Sequence, residues 1–454
     1  MQMRKRLGRS TLMILLACAA AHAVFGQSER IRNPGLQMAE GSVLPVGWTE
    51  WKPEVTSAAC RLQRSADGLQ MDAPDAPFGV GGIHQEIEGI EGGKSYAVEV
   101  NSSFRNLSSP YRSVLVRLTW RRGARSLHPA GDMLSGKTLP GGRLLFQGLR
   151  TAPAGADRAE ISLELKWPRG GSVTWEKVSL KESEPVPSRK VKIGTAYLRP
   201  QQSDPERNLE LFAEQIREAG RLGLDILCLA EAILAVGTRQ SGPQTAEPIP
   251  GPSTERLGRE AAASRIWVVA GLYEKEGAAI YNTAVLLDRQ GRLAGKYRKV
   301  HLPREEWRLG ITPGTDYPVF RTDFGVVAIQ ICYDWFFPEV ASIWRLKGAE
   351  IVLAPTWGTT FPDQEGRVEG ESVFRVRARD GSVYLVPSVY DGSSMVIDPL
   401  GRVLVSNRCR TGVFWAEADL SRREPLPWVG DWRDVGPRDR MPSGYSLLRE
   451  DPHK

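Results

Sequence analysis

Apolar and polar residues follow two different rhythms along this chain. Between residues 30 and 184, apolar positions alternate with polar ones in short runs that glycine and proline interrupt. Alternation with a period of two is typical of β-strands that bury one face. The clearest predicted strands are residues 95–100, 113–120, 159–165 and 173–180. We therefore predict an all-β domain over residues 30–184, folded as a jelly-roll-like sandwich.

The rhythm changes after residues 185–190, whose prolines indicate a linker. Beyond it, apolar runs of strand length alternate with stripes of helical spacing, and the first stripe follows Asp204 and Pro205, which favour a helix start. Residues 191–420 are thus predicted to form an α/β layer domain. Residues 421–454, rich in arginine, proline and tryptophan, are interpreted as a surface extension. The other predicted helices are residues 253–264, 338–347 and 371–379, and the predicted strands are residues 191–198, 225–229, 266–272, 281–287, 325–331, 351–354, 383–386 and 395–397.

The first 26 residues have the layout of an export signal. Basic residues at positions 4–6 and 9 precede a short apolar segment, residues 12–21, and then small residues. That segment is shorter than the ~20 residues that span a bilayer. We expect an exported protein, periplasmic or extracellular, and residues 15–18 leave attachment to a lipid through Cys18 as an alternative.

Composition excludes several classes of protein. A net charge of +7 over 454 residues is modest, and the basic residues are scattered, so a nucleic-acid partner is not expected. The five cysteines are widely spaced with no Cys-x-x-Cys pair, which excludes a disulfide-rich scaffold and a cysteine-type zinc site. We expect no metal ion and no cofactor.

Cys332 occupies a position from which a thiol can react. It directly follows the predicted strand 325–331 and precedes Pro338, which suits the first turn of a helix. Reactive groups in α/β sheets are commonly supplied at such strand ends, although a buried packing role is the alternative for any free cysteine. His301 is the only histidine of the α/β domain. A catalytic Cys332 would therefore need either that residue or a carboxylate as its base.

Two charged residues stand at comparable positions. Glu231 directly follows the apolar run 225–230, and Lys299 lies in the segment "YRKVHLP" of residues 297–303. Taken singly, each residue also has an ordinary interpretation. Glu231 is then a solvated carboxylate, and Lys299 is a strand lysine whose ammonium reaches water.

Together the three segments resemble the motifs of the nitrilase, or carbon-nitrogen hydrolase, superfamily: Glu231 in "LAEA", Lys299 in "YRKVHLP" and Cys332 in "ICYDWFFPE". The resemblance covers roughly residues 190–420. It implies a four-layer α-β-β-α sandwich. It also implies that the glutamate is the general base, that the lysine stabilises the oxyanion, and that the cysteine attacks the amide carbon.

The same resemblance extends to further residues. Members of this kind often carry a second active-site glutamate after the lysine, for which Glu305 and Glu306 are candidates, and the offset from Lys299 favours Glu306. Solvated loop charges are the alternative for both. The backbone N–H of Tyr333 is expected to be a second oxyanion donor, and His301 is interpreted as structural. Cys228 and Cys409 are interpreted as packing residues, and the resemblance also implies a homodimer.

The residues after Cys332 bear on the substrate. Tyr333 and Asp334 resemble the amidase and carbamoylase branches, so we expect a small amide or N-carbamoyl substrate in preference to a nitrile. The segment "SVYDG" at residues 388–392 departs from relatives that carry an asparagine there, which leaves the detail of the substrate pocket open.

The β domain resembles, more loosely, the galactose-binding-like sandwiches of carbohydrate-binding modules, through residues 82–100 and 173–183. That likeness makes a glycan a candidate partner, with a packing or dimer-contact domain as the alternative. Two alternatives to hydrolysis stay open: a glycan- or ligand-binding protein without activity, and an N-acyltransferase that uses the same three residues. Tryptophans that would stack on a sugar or, more typically, lie in the core are Trp48, Trp51, Trp120, Trp167 and Trp175.

Overall fold

The computed structural model describes residues 28–128, 130–358, 369–408, 410–426 and 428–449. The predicted export signal, Cys18 and Cys409 lie outside the described residues. The chain divides into two compact units. One runs to Pro187 and takes in the chain again from Arg423, and the other is Ser188–Arg422. Among the helices of the described residues, none is long and apolar enough to cross a membrane.

The first unit is rich in β-structure. Its elements up to Pro187 are β1 (Thr49–Trp51), β2 (Arg61–Ser65), β3 (Gly68–Asp72), β4 (Val80–Glu88), β5 (Ser95–Arg105), α1 (Pro110–Ser113), β6 (Val114–Arg122), β7 (Arg125–Ser126), β8 (Asp132–Leu134), β9 (Gly136–Leu139), β10 (Arg143–Thr151), β11 (Arg158–Lys166) and β12 (Ser172–Ser183). They form two sheets, with strand orders β1-β4-β11-β6-β7, where β8 also pairs with β6, and β2-β3-β12-β5-β10-β9.

One buried apolar cluster takes side chains from both of these sheets. Ile83 and Leu163 enter it from one sheet, and Val100 and Val178 enter it from the other. Burial of each such side chain stabilises the fold by ~1.5–3 kcal/mol, so the shared cluster holds the sheets together. Of the tryptophans considered above, Trp48, Trp120 and Trp175 are buried in this cluster, while Trp51 and Trp167 are exposed.

The second unit combines strands and helices. Its elements are β13 (Lys190–Tyr197), α2 (Pro205–Arg221), β14 (Ile226–Cys228), α3 (Pro252–Ser264), β15 (Trp267–Glu276), β16 (Ala279–Leu287), β17 (Leu293–Arg298), α4 (Arg304–Arg308), β18 (Val319–Arg321), β19 (Val326–Ile329), α5 (Pro338–Leu346), β20 (Ile351–Gly358), α6 (Glu369–Gly381), β21 (Tyr384–Asp391), β22 (Met395–Ile397), β23 (Val403–Ser406) and β24 (Gly412–Asp419). The strand orders of its two sheets are β17-β16-β15-β14-β13-β24 and β18-β19-β20-β21-β22-β23.

Both sheets of the second unit have the same plan. Strands β13, β14 and β15 are mutually parallel in one sheet, and β19, β20 and β21 are parallel in the other, with antiparallel strands outside them. One buried cluster contains side chains of both sheets and of α5 and α6. A second cluster contains side chains of the first sheet together with α2 and α3. Apolar packing therefore joins the two sheets to each other. It also joins α2 and α3 to the first sheet, and α5 and α6 to the cluster that both sheets share.

Helix α2 illustrates how the local sequence sets an element. The side chain of Asp204 accepts a hydrogen bond from the backbone N–H of Arg207 at 2.8 Å, and Pro205 occupies the first turn. The predicted start of this helix is confirmed. The sequence pattern missed β17, β18, β23, β24 and α4, because these segments are short or carry charged residues among their apolar ones.

The chain after Arg423 packs on the β-rich unit. Helix α7 (Trp432–Asp439) follows there. The carboxylate of Asp439 pairs with the ammonium of Lys166 at 2.7 Å, and the buried Arg438 guanidinium donates to the backbone oxygen of Leu134 at 3.0 Å. These polar contacts join the C-terminal residues to strands of the first unit.

Candidate active site

Glu231 lies where the chain turns after β14. It is buried, with 3% of its surface exposed. Gly271 of the neighbouring strand β15 lets the backbone approach closely, because a Cβ at that position would lie 2.6 Å from the Cα of Glu231. The hydroxyl of Tyr390 donates to the backbone oxygen of Glu231 at 2.7 Å. The position of this carboxylate is thus set by strand packing on one side and by a buried tyrosine on the other.

Lys299 directly follows β17 and is buried, with 1% exposed. Its Nζ lies 2.9 Å from Oε1 of Glu231 and 2.8 Å from Oε2 of Glu306. Glu306 is the buried residue of the short helix α4, and Glu305 beside it is exposed. The structure thus brings Glu231, Lys299 and Glu306 together and leaves Glu305 outside the group.

Asn282 is a member of this cluster that the sequence interpretation missed. It lies in β16, it is fully buried, and its Nδ2 donates to Oε1 of Glu231 at 2.7 Å and to Oε1 of Glu306. The hydroxyl of Tyr273 makes a longer contact of 3.5 Å with the same Glu306 oxygen. Asparagine is depleted in strands, so its presence within the strand "AIYNTAVLL" was the available signal.

The buried cluster contains two carboxylates and one ammonium. Burial raises the pKa of Glu306, with Lys299 opposing the rise and Glu231 adding to it. Burial would by itself lower the pKa of Lys299, but Glu231, Cys332 and Glu306 outweigh it and bring that pKa well above its usual range. Lys299 is therefore a charged ammonium at neutral pH, held by two carboxylates.

Cys332 begins a tight 3-10 turn, Cys332–Phe336, just after β19 ends. Its backbone has a φ of +43°, a region that is strained for a residue with a side chain. Such strain, of order 1–3 kcal/mol, persists only where the surrounding structure imposes it. The thiol is thus held on a turn, as its sequence position predicted, and it does not lie within the apolar strand.

Asp334 is the residue that holds this turn. It is fully buried, and its carboxylate accepts hydrogen bonds from the backbone N–H of Ile331 at 3.0 Å and from the hydroxyl of Tyr297 at 2.8 Å. It also contacts the ring Nδ1 of His301 at 2.8 Å and accepts from its backbone N–H at 3.1 Å. The His301 ring stacks on Phe337 with centroids 3.9 Å apart. His301 thus contacts Asp334, the residue that supports the Cys332 turn, and links this turn to the segment that carries Lys299. These contacts are structural.

Burial raises the pKa of the Cys332 thiol to about 12, and the negative charge of Glu231 adds to the rise, while Lys299 and the backbone N–H of Trp357 oppose it. The resting thiol is therefore protonated at neutral pH and needs a base. Oε1 of Glu231 is occupied by Lys299 and Asn282, whereas its Oε2 has no hydrogen-bond partner among the described residues. That second oxygen is free to accept a proton.

The remaining predicted residues lie around the turn. Tyr333 follows Cys332, is partly buried, and packs its ring on Phe336 and Phe337 with centroid distances of 5.0 and 5.4 Å. Cys228 is fully buried in the apolar cluster between the sheets, which is a packing position. Within the described residues, no group of three or more histidine, cysteine, aspartate or glutamate side chains is arranged to hold a metal ion.

A thiol with a buried carboxylate and an ammonium beside it is an arrangement suited to nucleophilic attack on an acyl carbon. The α/β fold and this group of residues suit a hydrolase. The family model described as carbon-nitrogen hydrolase matches residues 192–427, and the chain belongs to that family. The match begins at residue 192, after the strands β1–β12 of the first unit.

Individual relatives agree with this assignment. The chain is 30% identical over 243 residues to an omega-amidase of Xenopus tropicalis, covering 48% of this chain and 87% of the relative. It is 31% identical over 246 residues to a nitrilase of Pyrococcus abyssi, covering 51% and 90%. A solved carbon-nitrogen hydrolase from Helicobacter pylori G27 matches at 23% identity with a TM-score of 0.50, covering 57% of this chain and 99% of that one, which is a likeness in fold.

Proposed function

We propose that this protein is an exported hydrolase of non-peptide carbon-nitrogen bonds, which acts on small linear amides or N-carbamoyl compounds through a thioester on Cys332. One observation carries the proposal. Glu231 has one oxygen held by Lys299 and Asn282 and the other without a partner among the described residues, beside a thiol whose pKa is about 12. The export part of the proposal rests on the layout of residues 1–26, with lipid attachment as the alternative.

In the first step, Sγ of Cys332 attacks the carbonyl carbon while Oε2 of Glu231 takes the thiol proton. With a pKa of about 12, only about 10⁻⁵ of the thiol is ionised at neutral pH, so proton removal must accompany the attack. Negative charge then moves to the former carbonyl oxygen, where the ammonium of Lys299 and the backbone N–H of Tyr333 would stabilise it.

The later steps use the same proton carrier. Protonated Glu231 gives its proton to the leaving nitrogen, the C–N bond breaks, and the thioester forms. A water molecule, deprotonated by Glu231, then attacks the thioester carbon and releases the acid and the free thiol. Glu306 positions Lys299 and Asn282 throughout, because its two oxygens contact those two side chains.

The finer fold assignments belong to this proposal. For Ser188–Arg422 we propose the four-layer α-β-β-α sandwich, supported by the cluster shared between the sheets and by the packing of α2 with α3 and of α5 with α6. For the β-rich unit we propose a sandwich, supported by the single apolar cluster that its two sheets share. A homodimer is a further expectation, to be tested by light scattering on the purified chain.

Amides are favoured over nitriles because Tyr333 and Asp334 follow the nucleophile, as in the amidase and carbamoylase branches that the motif resembles. The relatives found bear both names, amidase and nitrilase, so the choice between substrates needs an experiment. A panel of linear amides, N-carbamoyl amino acids and aliphatic nitriles, assayed for ammonia release, separates these classes. Release from nitriles alone would refute the substrate class proposed here.

Intact-mass analysis tests the covalent step. We expect an acyl adduct on the wild-type chain, accumulating in Glu231→Gln if deacylation is the slower step, and no adduct in Cys332→Ala. Release of product only when an external amine is added would favour the acyltransferase alternative. No ammonia release and no adduct from any compound class would favour the inactive binding protein.

A further inference from the structure

The proposed base and the nucleophile come from different sheets of the second unit. Glu231 follows β14 of the first sheet, and Cys332 follows β19 of the other. The apolar cluster that the two sheets share holds them together, but apolar packing has no preferred direction. A shift of ~1 Å in a reacting group can cost about 10²-fold in rate. Directional contacts between the sheets are therefore needed to fix the distance from base to thiol.

Hydroxyl groups supply such contacts where strand β21 faces the first sheet. The Oγ of Ser388 donates to the backbone oxygen of Ala196 in β13 at 2.7 Å. The Oγ1 of Thr195, also in β13, donates to the backbone oxygen of Pro387 at 2.8 Å. Ser388 and Thr195 are fully buried. A buried hydrogen bond is directional and costly to break, so these two fix the register of β21 against β13.

Tyr390, further along β21, makes the contact that reaches the base. Its hydroxyl donates to the backbone oxygen of Glu231 at 2.7 Å, and the residue is 1% exposed. Burial and the negative charge of Glu231 hold the pKa of Tyr390 well above its usual range, so the hydroxyl stays a donor at neutral pH. Because the phenolic oxygen lies at the end of a rigid ring, the position of the ring fixes the position of the Glu231 backbone.

The backbone that receives this hydrogen bond is strained. Ala232, the residue after Glu231, has a φ of +48°, which residues with a side chain rarely adopt. On either side of this turn, backbone hydrogen bonds of 3.1 and 2.9 Å join the chain to Gly271, and Tyr390 holds the carbonyl between them. A strained turn persists only where its surroundings impose it, so loss of the hydroxyl should let the Glu231 peptide relax.

The ring of Tyr390 is itself fixed on two sides. It lies edge-on to Phe212 of α2, with centroids 6.5 Å apart, and edge-on to Trp357 of β20, with centroids 5.4 Å apart. The backbone N–H of Trp357 in turn acts on the thiol of Cys332 and lowers its pKa, so this segment lies beside the nucleophile. One tyrosine thus connects the backbone of the base with the strand next to the thiol.

We propose that Tyr390 is a positioning residue, which sets the distance between the carboxylate of Glu231 and the thiol of Cys332 by holding the strained backbone after β14. This role rests on the proposed function, in which Glu231 takes the thiol proton. The hydroxyl acts through Glu231, because its hydrogen is donated to the backbone of that residue. Tyr390 belongs to the segment "SVYDG", in which this chain departs from the relatives that carry an asparagine.

Tyr390→Phe tests this role, because it removes the hydroxyl and keeps the ring contacts. The Glu231 carboxylate should move away from the thiol, so kcat for a small amide should fall by about tenfold or more while KM stays within about twofold. Alkylation of Cys332 by iodoacetamide at neutral pH should become faster, because the charge of Glu231 raises the pKa of the thiol. Each unit of decrease in that pKa gives about ten times more thiolate.

The same substitution in the Glu231→Gln background separates positioning from a general loosening of the fold. Glutamine carries no charge, so adding Tyr390→Phe should leave the alkylation rate unchanged, whereas a loosened fold would be alkylated faster in both backgrounds. Tyr384→Phe is the matched control. Tyr384 lies in the same strand, and its hydroxyl contacts the backbone oxygen of Asp419 in β24 at 3.5 Å, away from the base. This control should leave kcat and alkylation unchanged.

Each readout has a result that would overturn the role of Tyr390. These results are an unchanged alkylation rate in Tyr390→Phe, an equal increase in the Glu231→Gln background, the same changes in Tyr384→Phe, or a higher KM with an unchanged kcat. A wild type that hydrolyses no amide would refute the proposed function, and the alkylation comparison would still decide whether Tyr390 positions Glu231 against the thiol.

Discussion

Replacing Glu231 by glutamine should separate two properties that a simple loss of structure would change together. In the wild type, burial and then the Glu231 charge raise the pKa of Cys332 to about 12, against the opposing effect of Lys299. Glutamine keeps the size of the side chain but removes the charge. The pKa of the thiol should therefore fall in Glu231→Gln, and each unit of decrease gives about ten times more thiolate at a given pH.

Catalysis should change in the opposite direction. Without the carboxylate, no group accepts the thiol proton during attack or returns it to the leaving nitrogen, and loss of such a general base costs about 10²- to 10⁴-fold in rate. We therefore expect a kcat for a small amide that is lower by that factor. At the same time, the midpoint of the pH profile for alkylation of Cys332 by iodoacetamide should move to lower pH.

Both quantities are measurable on the same samples, kcat by ammonia release and alkylation by intact mass. Glu305→Gln is the matched control, because Glu305 is the exposed neighbour of Glu306 and should leave both quantities unchanged. Activity of Glu231→Gln within tenfold of the wild type, or an alkylation midpoint that moves to higher pH, would refute the assignment of Glu231 as the base.

Three further predictions concern Asn282, Gly271 and Asp419. Asn282→Ala removes the amide between the carboxylates of Glu231 and Glu306. Urea unfolding should therefore show a free energy of unfolding lower by ~1–3 kcal/mol, and kcat should also be lower. An unchanged kcat would contradict this prediction. Gly271→Ala places a methyl group against the backbone of Glu231, and we expect activity to fall by more than thermal stability does, whereas full activity would argue against the close approach. Burial alone would raise the pKa of Asp419, but hydrogen bonds from Ser421, Ser188 and Arg189 lower that pKa from 3.8 to about 2. The ionised Asp419 therefore stabilises the fold above the pKa of the unfolded chain. This stabilisation is lost as the pH falls from 3.8 to about 2. Asp419→Asn should be less stable than the wild type at neutral pH, with the difference vanishing in acid, and a constant difference across the acid range would contradict this.

Much of the fold followed from local pattern. The start of helix α2 could be placed to the residue because a capping aspartate and a proline act on their nearest neighbours. Strands β17, β18 and β23 pair with their sequence neighbours and were missed because they are short or carry charged residues among their apolar ones. Another cause is a pairing partner that lies far along the chain. Strand β24, for example, pairs with β13, more than two hundred positions earlier, and its exposed residues obscure the alternation.

The candidate site divides in the same way. Glu231 and Cys332 were visible in the sequence because each follows an apolar run at a predicted strand end, and Lys299 was visible through the segment "YRKVHLP" that contains it. Asn282 was not singled out, since its importance comes only from the two carboxylates that the fold places against it. The choice between Glu305 and Glu306 likewise had to await the turn of α4, which buries one and exposes the other.

The amino-acid sequence by itself determined the types of element, the change from a β-rich to an α/β region, and the three residues on which the chemistry is proposed to rest. These features depend on periodicity and on motifs, which are local. Only the tertiary structure decided which oxygen of Glu231 is free, that Asp334 holds the Cys332 turn, and that the chain after Arg423 packs on the β-rich unit. Those features depend on burial and on hydrogen bonds between residues distant in sequence, and such contacts exist only once the chain has folded.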